Sequence, residues 1–215
     1  MIITLDGPSG TGKSTLTKQI AKTLGFSLLN TGMVYRALTY YLFTNNILPN
    51  SDFLNDAMDN INIKVSFKNN DQIVLINGDD YTKFINDIIV QQNVSYYSVI
   101  TCVREKATKV FRECVNDNNI VVEGRDIGTV VFPNADYKFY VICDIDVRAE
   151  RRLADLNKEN VNLTLEEVKK SLQSRDKIDS SREISPLRCP ENAVIIDTSH
   201  STIDQSLQEI ISYIK

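Results

Sequence analysis

Three of the eight glycines in this 215-residue chain, Gly7, Gly10 and Gly12, fall within six positions, and a lysine and a serine follow at once. The run Gly7-Pro8-Ser9-Gly10-Thr11-Gly12-Lys13-Ser14 meets every fixed position of G-x-x-x-x-G-K-[ST]. Glycines let a backbone curl until several N–H groups converge on one anion, and a helix opening there adds the partial positive charge of its N-terminus. Lys13 then reaches toward the terminal phosphates of a nucleoside triphosphate, and the Ser14 hydroxyl ligates Mg2+. This chemistry needs a buried strand before the loop and a helix after it. Residues 2–5 are a short apolar run that stops at Asp6-Gly7-Pro8. Beyond the loop, Leu16, Ile20, Ala21 and Leu24 recur at helical spacing and end at Gly25.

The arginines are the second set. The chain has ten. Arg36 follows Asn30-Thr31-Gly32-Met33-Val34-Tyr35. Arg125 lies in Glu123-Gly124-Arg125-Asp126-Ile127-Gly128-Thr129-Val130-Val131, directly after an apolar run, and loops at the carboxyl ends of parallel strands are where ligands bind in open α/β sheets. Arg148 and Arg152 are four apart, on one helix face, with Arg151 beside them. Arg175, Asp179 and Arg182 recur at spacings of four and three and share a side if the helix continues. Guanidinium groups suit bidentate phosphate contacts, and several are needed where two polyphosphates repel each other.

The elements that position these groups follow a βα rhythm. Residues 27–29, 120–122, 137–143 and 193–196 read as strands. Residues 33–43, 99–115, 146–156, 164–172 and 203–214 read as helices, the last with Ile203, Leu207, Ile210 and Ile211 on one face. The sheet should therefore be parallel. The Asn- and Asp-rich middle departs from this rhythm. Residues 61–67 alternate apolar and polar, and 72–78 follow a Lys68-Asn69-Asn70-Asp71 turn, which predicts a half-exposed antiparallel hairpin. The pairs Tyr40-Tyr41 and Tyr96-Tyr97 read as packing, and His200, the one histidine, as a loop residue without a catalytic role.

Composition narrows the function further. With 24 Lys+Arg against 28 Asp+Glu, the net charge of −4 argues against a duplex-binding protein, and no nucleic-acid polymer is expected as partner. A chain of this length buries roughly 70% of its unfolded surface and needs no disulfide or metal staple. Cys102, Cys114, Cys143 and Cys189 are far apart, without zinc-site spacing, and read as free thiols. The first residues lack a basic region and a long apolar run, and no run approaches a membrane span. A cytoplasmic, soluble monomer is the expectation. Among phosphate-loop proteins, a GTPase switch needs an N-K-x-D loop, and the nearest string, Asn157-Lys158-Glu159-Asn160, lacks the Asp. The chain is short for an ATPase motor and lacks a D-E-x-x box. A small-molecule kinase remains the leading class.

The chain resembles the bacterial cytidylate (CMP/dCMP) kinases. The resemblance is carried by Asp6 to Ser14, by Thr31-Gly32-Met33-Val34-Tyr35-Arg36-Ala37, and by Val103-Arg104-Glu105. It continues through Gly124-Arg125-Asp126-Ile127-Gly128-Thr129-Val130-Val131-Phe132-Pro133, Arg148-Ala149-Glu150-Arg151-Arg152 and Arg182-Glu183-Ile184-Ser185-Pro186-Leu187. It implies an α/β fold of the P-loop nucleoside monophosphate kinase type, a five-stranded parallel sheet flanked by helices. A small α+β insertion, about 50–95, would lie in the monophosphate-binding region 30–104, and a short lid at about 146–190, all in one domain, 1–215. ATP with Mg2+ would be the donor and CMP or dCMP the acceptor, with UMP or AMP as alternatives.

Residue by residue, the resemblance implies a donor site of Gly7, Pro8, Ser9, Gly10, Thr11, Gly12, Lys13, Ser14 and Thr15 with the lid residues Arg148, Arg151 and Arg152. Ser14 would hold the metal. Asp126 and Arg104 match positions that read the base, with Ser95 as a third polar contact. Thr31, Tyr35, Arg36 and Arg125 match positions near the monophosphate, and Arg175, Asp179 and Arg182 the sugar- and nucleotide-contacting stretch. Lys13, Arg125, Arg152 and Arg182 would carry the transition-state charge. The family often has an Arg between the equivalents of Arg175 and Asp179, where this chain has Ile178.

Overall fold

The computed structural model describes residues 1–68, 71–115, 119–158 and 161–214. The parallel strands are β1 (Ile2–Asp6), β2 (Ser27–Asn30), β6 (Ile120–Gly124), β7 (Tyr137–Ile142) and β8 (Val194–Asp197). They form one sheet in the order β2-β6-β1-β7-β8. The chain divides into two compact units, Met1–Phe26 with Val121–Lys215, and Ser27–Ile120.

In the first unit β1 is central, which is why its apolar run is unbroken: Ile3 to Asp6 are all buried. It pairs in parallel with β7, Ile3 opposite Tyr137 and Asp6 opposite Tyr140. β7 pairs with β8, Phe139 opposite Val194 and Ile142 opposite Asp197. This register brings the carboxyl ends of β1, β7 and β8 to one edge of the sheet, and the phosphate loop starts there. Helix α1 (Lys13–Leu24) buries Leu16, Thr17, Ile20 and Ala21 and stops at Gly25, which is left-handed and donates its N–H to the Ala21 carbonyl. Helices α6 (Ile145–Lys158) and α7 (Leu165–Ser181) pack through Ala149, Leu156, Val168 and Leu172. A Thr164/Glu167 capping box opens α7, and a Thr202/Gln205 box opens α8 (Ile203–Tyr213).

In the second unit, α2 (Thr31–Thr44) follows β2 directly. The predicted hairpin is present as β3 (Ile63–Lys68) and β4 (Asp71–Ile76), Ile63 opposite Ile76, with β5 (Asp79–Asp80) added at its edge. Asn69 and Asn70 of the predicted turn lie outside the described residues, as do Glu159 and Asn160. Helices α3 (Leu54–Asn60), α4 (Ile88–Tyr97) and α5 (Thr101–Glu113) complete the unit. Tyr40 stacks on Phe84 at 4.2 Å, Tyr41 meets the edge of Tyr81, and the buried Tyr97 donates its hydroxyl to the Ile47 carbonyl.

Two helices of the insertion were not read from the sequence. Helix α3 buries only Leu54 and Met58, and α4 only Val90 and Tyr97, so neither shows a periodic apolar stripe. Helix α7 runs nine residues beyond the predicted end at Leu172, because its last two turns carry charge rather than apolar periodicity. A wide helical turn at Ile127–Val131 was also unforeseen. Among the described residues no helix is long and apolar enough to cross a membrane.

Gly7 fixes the junction of β1 with its loop. Its φ is +145°, and a Cβ built there would lie 2.1 Å from the Val141 carbonyl oxygen of β7. Gly7→Ala should cost roughly 3 kcal/mol of stability. Thermal denaturation checks this, and an unchanged Tm would mean the strand–loop junction is not rigid.

Candidate functional site

The phosphate loop closes on itself and is gripped by its neighbours. Gly10 and Gly12 are both left-handed, at φ +78° and +84°. Thr11 donates its hydroxyl to the Pro8 carbonyl, and Thr198, just past β8, donates its own to the Thr11 carbonyl at 2.9 Å. Gly12 caps α1 without a side chain, unlike the threonines that open α7 and α8. The first N–H groups of α1 thus face the loop with the helix dipole behind them, the arrangement that receives phosphate. Lys13 is buried, and its ammonium donates to the Pro8 carbonyl and the Thr11 hydroxyl.

Arg148 and Asp176 brace the loop from the side. Arg148, buried at the start of α6, donates through Nη1 to the Ser9 carbonyl at 2.9 Å and to the Asp176 carboxylate at 2.5 Å. Its Nε donates to the Cys143 carbonyl. Asp176 accepts the Ser9 N–H at 3.2 Å, so one pair of opposite charges holds both polar groups of one loop peptide position. Arg151 donates to the Thr198 carbonyl at 2.7 Å, and Arg152, on the exposed side of α6, lies one turn beyond Arg148. Equal spacing along the helix therefore conceals a split: Arg148 is drawn into the loop while Arg152 faces water.

Beside the loop, four charged side chains form a chain of ion pairs. Arg125 donates through Nε to Asp179 at 2.8 Å. Asp179 pairs through its other oxygen with Arg182 at 3.6 Å, and Arg182 pairs with Asp126 at 3.5 Å. Arg182 is also fixed by donating Nε to the Ser185 carbonyl. The continuation of α7 beyond Leu172 is what brings Asp179 and Arg182 to the Arg125-Asp126 loop, Arg182 standing at the helix C-cap. Arg175 is half-buried on the same helix, and Ile178 is partly exposed.

The electrostatics follow from this crowding. Burial, and next the Arg125 guanidinium, hold the Lys13 ammonium well below its ordinary value, while Glu123, Asp6 and Asp179 oppose the shift. Burial likewise pushes the Asp6 carboxyl up to about 6, against the pull of the Gly128 and Ile127 N–H groups.

In the second unit, Thr31 is buried at the first position of α2. The preceding Asn30 is locked by a two-way pairing with the buried Gln72 amide, N–H to Oε1 at 2.7 Å and Nε2 to carbonyl at 3.2 Å. Arg104 is buried, lies over the Tyr35 ring at 5.3 Å, and donates to the Ser98 carbonyl. Tyr35 meets the edge of Phe111. Arg36 on α2 and Ser95 on α4 are half-buried. The structure therefore joins Arg104 with Tyr35 and joins Arg125, Asp126, Asp179 and Arg182.

Sequence reasoning passed over Asp6, Asp176 and Thr198 as working residues. The available signal was an ionisable residue ending an apolar strand, and an acid next to Arg175 in the Arg175-Asp176-Lys177-Ile178-Asp179 run.

Among the described residues no cluster of His, Cys, Asp and Glu is arranged to hold a metal. The oxygen donor on the loop is the Ser14 hydroxyl, exposed on the first turn of α1. That fits Mg2+, which keeps several waters and is shared between one or two protein oxygens and substrate phosphates.

A phosphate loop at the end of a central parallel strand, with flanking helices and an arginine-rich edge, defines a P-loop kinase fold. A solved shikimate kinase from Acinetobacter baumannii, in complex with shikimate, shares this fold with a TM-score of 0.50 at 15% identity, over 99% of this chain and 92% of that one. The chain itself belongs to the cytidylate kinase family, whose model matches residues 3–215. It is 41% identical over 215 residues to the cytidylate kinase of Thermotoga neapolitana, covering 99% of this chain and 96% of that protein. Against the cytidylate kinase of Clostridium botulinum it is 39% identical over 214 residues, covering 99% and 97%.

Asp176→Ala leaves the buried Arg148 guanidinium without its counter-charge and should cost about 2 kcal/mol, since Asp176 is partly exposed. At this chain length that is a fall in Tm of about 4–8 °C; no change would remove the brace. The raised Asp6 carboxyl gives a pH signature. A folded value above the unfolded one contributes stability at low pH that is lost as pH rises from about 3.8 to about 6. The stability gap between wild type and Asp6→Asn should therefore shrink between pH 4 and pH 7 in denaturant titrations. A gap that widens would contradict the burial of this charge.

Proposed function

We propose that this chain transfers the γ-phosphoryl group of ATP to CMP or dCMP, giving ADP and CDP or dCDP. The observation that carries the reading is the buried Lys13 of the phosphate loop lying within electrostatic reach of Arg125 and Asp179, members of the chain of ion pairs. The phosphate loop and the charges proposed to hold the acceptor both fall in the first unit.

Phosphoryl transfer asks mostly for positioning and charge neutralisation. An oxygen of the acceptor monophosphate bonds to the γ-phosphorus as the β–γ bridging bond breaks and ADP leaves. That oxygen is already ionised, so no side chain has to remove a proton. Loop N–H groups and Lys13 hold the donor phosphates, and Arg148 keeps the loop in shape by bonding to Ser9. Mg2+, on Ser14, would neutralise phosphate charge. Arg125 and Arg182, with Arg152 from α6, supply counter-charge for the transferred group.

Asp126 accounts for the choice of base. Cytosine presents an amino donor at N4, which a carboxylate accepts. Uracil presents O4, and two acceptors facing each other in a buried site cost on the order of 1–3 kcal/mol. Asp126 is 4% exposed, so little water relieves the mismatch. The same reading has the chain acting as a cytoplasmic monomer, without nucleic-acid polymer as partner.

A coupled ADP-release assay with ATP–Mg2+ and a panel of CMP, dCMP, UMP and AMP tests this directly. CMP and dCMP should give the highest turnover, and Lys13→Ala should lower it by about 10²–10³-fold with every acceptor. If CMP and dCMP release no more ADP than an acceptor-free blank, the proposal fails.

A further inference from the structure

Asp6 ends the central strand, is fully buried, and is followed at once by Gly7, the first residue of the phosphate loop. One oxygen of its carboxylate accepts the Ile127 N–H at 2.8 Å and the other the Gly128 N–H at 2.7 Å, 121 and 122 residues along the chain. These are the first two residues after Asp126. The Asp126 carbonyl in turn accepts from Val130 at 2.9 Å and Val131 at 3.2 Å, which closes the wide turn. Gly128 is seated so tightly that a Cβ would lie 2.9 Å from Pro190 Cγ and 3.0 Å from the Thr4 hydroxyl.

A fully buried carboxylate is costly to keep, and two neutral N–H groups could be satisfied by a neutral acceptor. What a carboxylate adds is two acceptors in fixed geometry with charge-assisted strength. Here that geometry ties the backbone carrying Asp126 to the residue from which the phosphate loop departs.

We propose that Asp6 is a positioning residue: it sets the Arg125-Asp126 segment in register with the phosphate loop and so underlies acceptor selectivity, although it touches neither nucleotide. This rests on the reading of Asp126 as the residue that selects the base. An error of about 1 Å in such a register costs up to ~10²-fold in rate. A residue that only stabilised the fold would lower turnover without changing which acceptor is preferred.

The test compares kcat/KM for CMP and UMP, and KM for ATP, in wild type, Asp6→Asn, Gly128→Ala and Asp126→Ala, with circular dichroism to establish folding. Asparagine accepts from one of the two N–H groups but turns its amide N–H2 toward the other. Asp6→Asn should lower kcat/KM for CMP by about 10-fold or more and reduce the CMP:UMP ratio at least fivefold, with KM for ATP within about threefold. Gly128→Ala, which lifts the same turn from its seat with Asp6 intact, should give the same loss of selectivity and decides the matter if Asp6→Asn does not fold. A folded variant that keeps the wild-type CMP:UMP ratio overturns the role of Asp6. If Asp126→Ala keeps that ratio, the base-selecting role of Asp126 fails first, and the role of Asp6 fails with it.

Discussion

Taking an ionised group out of water costs several kcal/mol unless opposite charge or fixed dipoles replace the solvent. At the carboxyl edge of the central strands this chain buries Asp6, Lys13, Glu123, Asp126 and Arg148, and the Arg182 side chain beside them. Almost every distinctive feature of the first unit answers that cost. The Ile127 and Gly128 amides meet Asp6, the Ser9 and Cys143 carbonyls and Asp176 meet Arg148, and Asp179 and Asp126 meet Arg182. Even the unusual length of α7 serves it, since Asp176, Asp179 and Arg182 all lie beyond the last core residue of the helix, Leu172.

This arrangement suits a reaction whose transition state is a cluster of negative oxygens. Charges held by the fold need not reorganise when the phosphoryl group moves, which is how preorganised electrostatics lowers a barrier. The mild net charge of −4 is compatible with such a site because it sums the whole surface. In the first unit Arg125, Arg148 and Arg182 are each paired with a carboxylate, so the local charge is balanced where it is buried.

Much of this was legible in the sequence, for identifiable reasons. The phosphate loop and its helix were plain because glycine spacing and apolar periodicity agree with each other. The parallel strands were plain because buried strands are uninterrupted apolar runs, and the hairpin because Ile61, Ile63 and Val65 alternate with polar neighbours ahead of an Asn- and Asp-rich turn. The short helices α3 and α4 escaped because two buried residues each make no period. The brace of Arg148 on Ser9 spans 139 residues, and that of Asp6 on Gly128 spans 122. No local pattern encodes pairings of that separation, so a burial-dependent role for an acid at a strand end becomes visible only in three dimensions.

In the proposed reading a buried carboxylate, Asp126, paired with Arg182, selects the acceptor base. Titration calorimetry of wild-type protein with CMP and with UMP, in the absence of donor, measures this most directly. CMP should bind roughly tenfold or more tightly than UMP, the equivalent of one buried acceptor–acceptor mismatch. Equal affinities would contradict it.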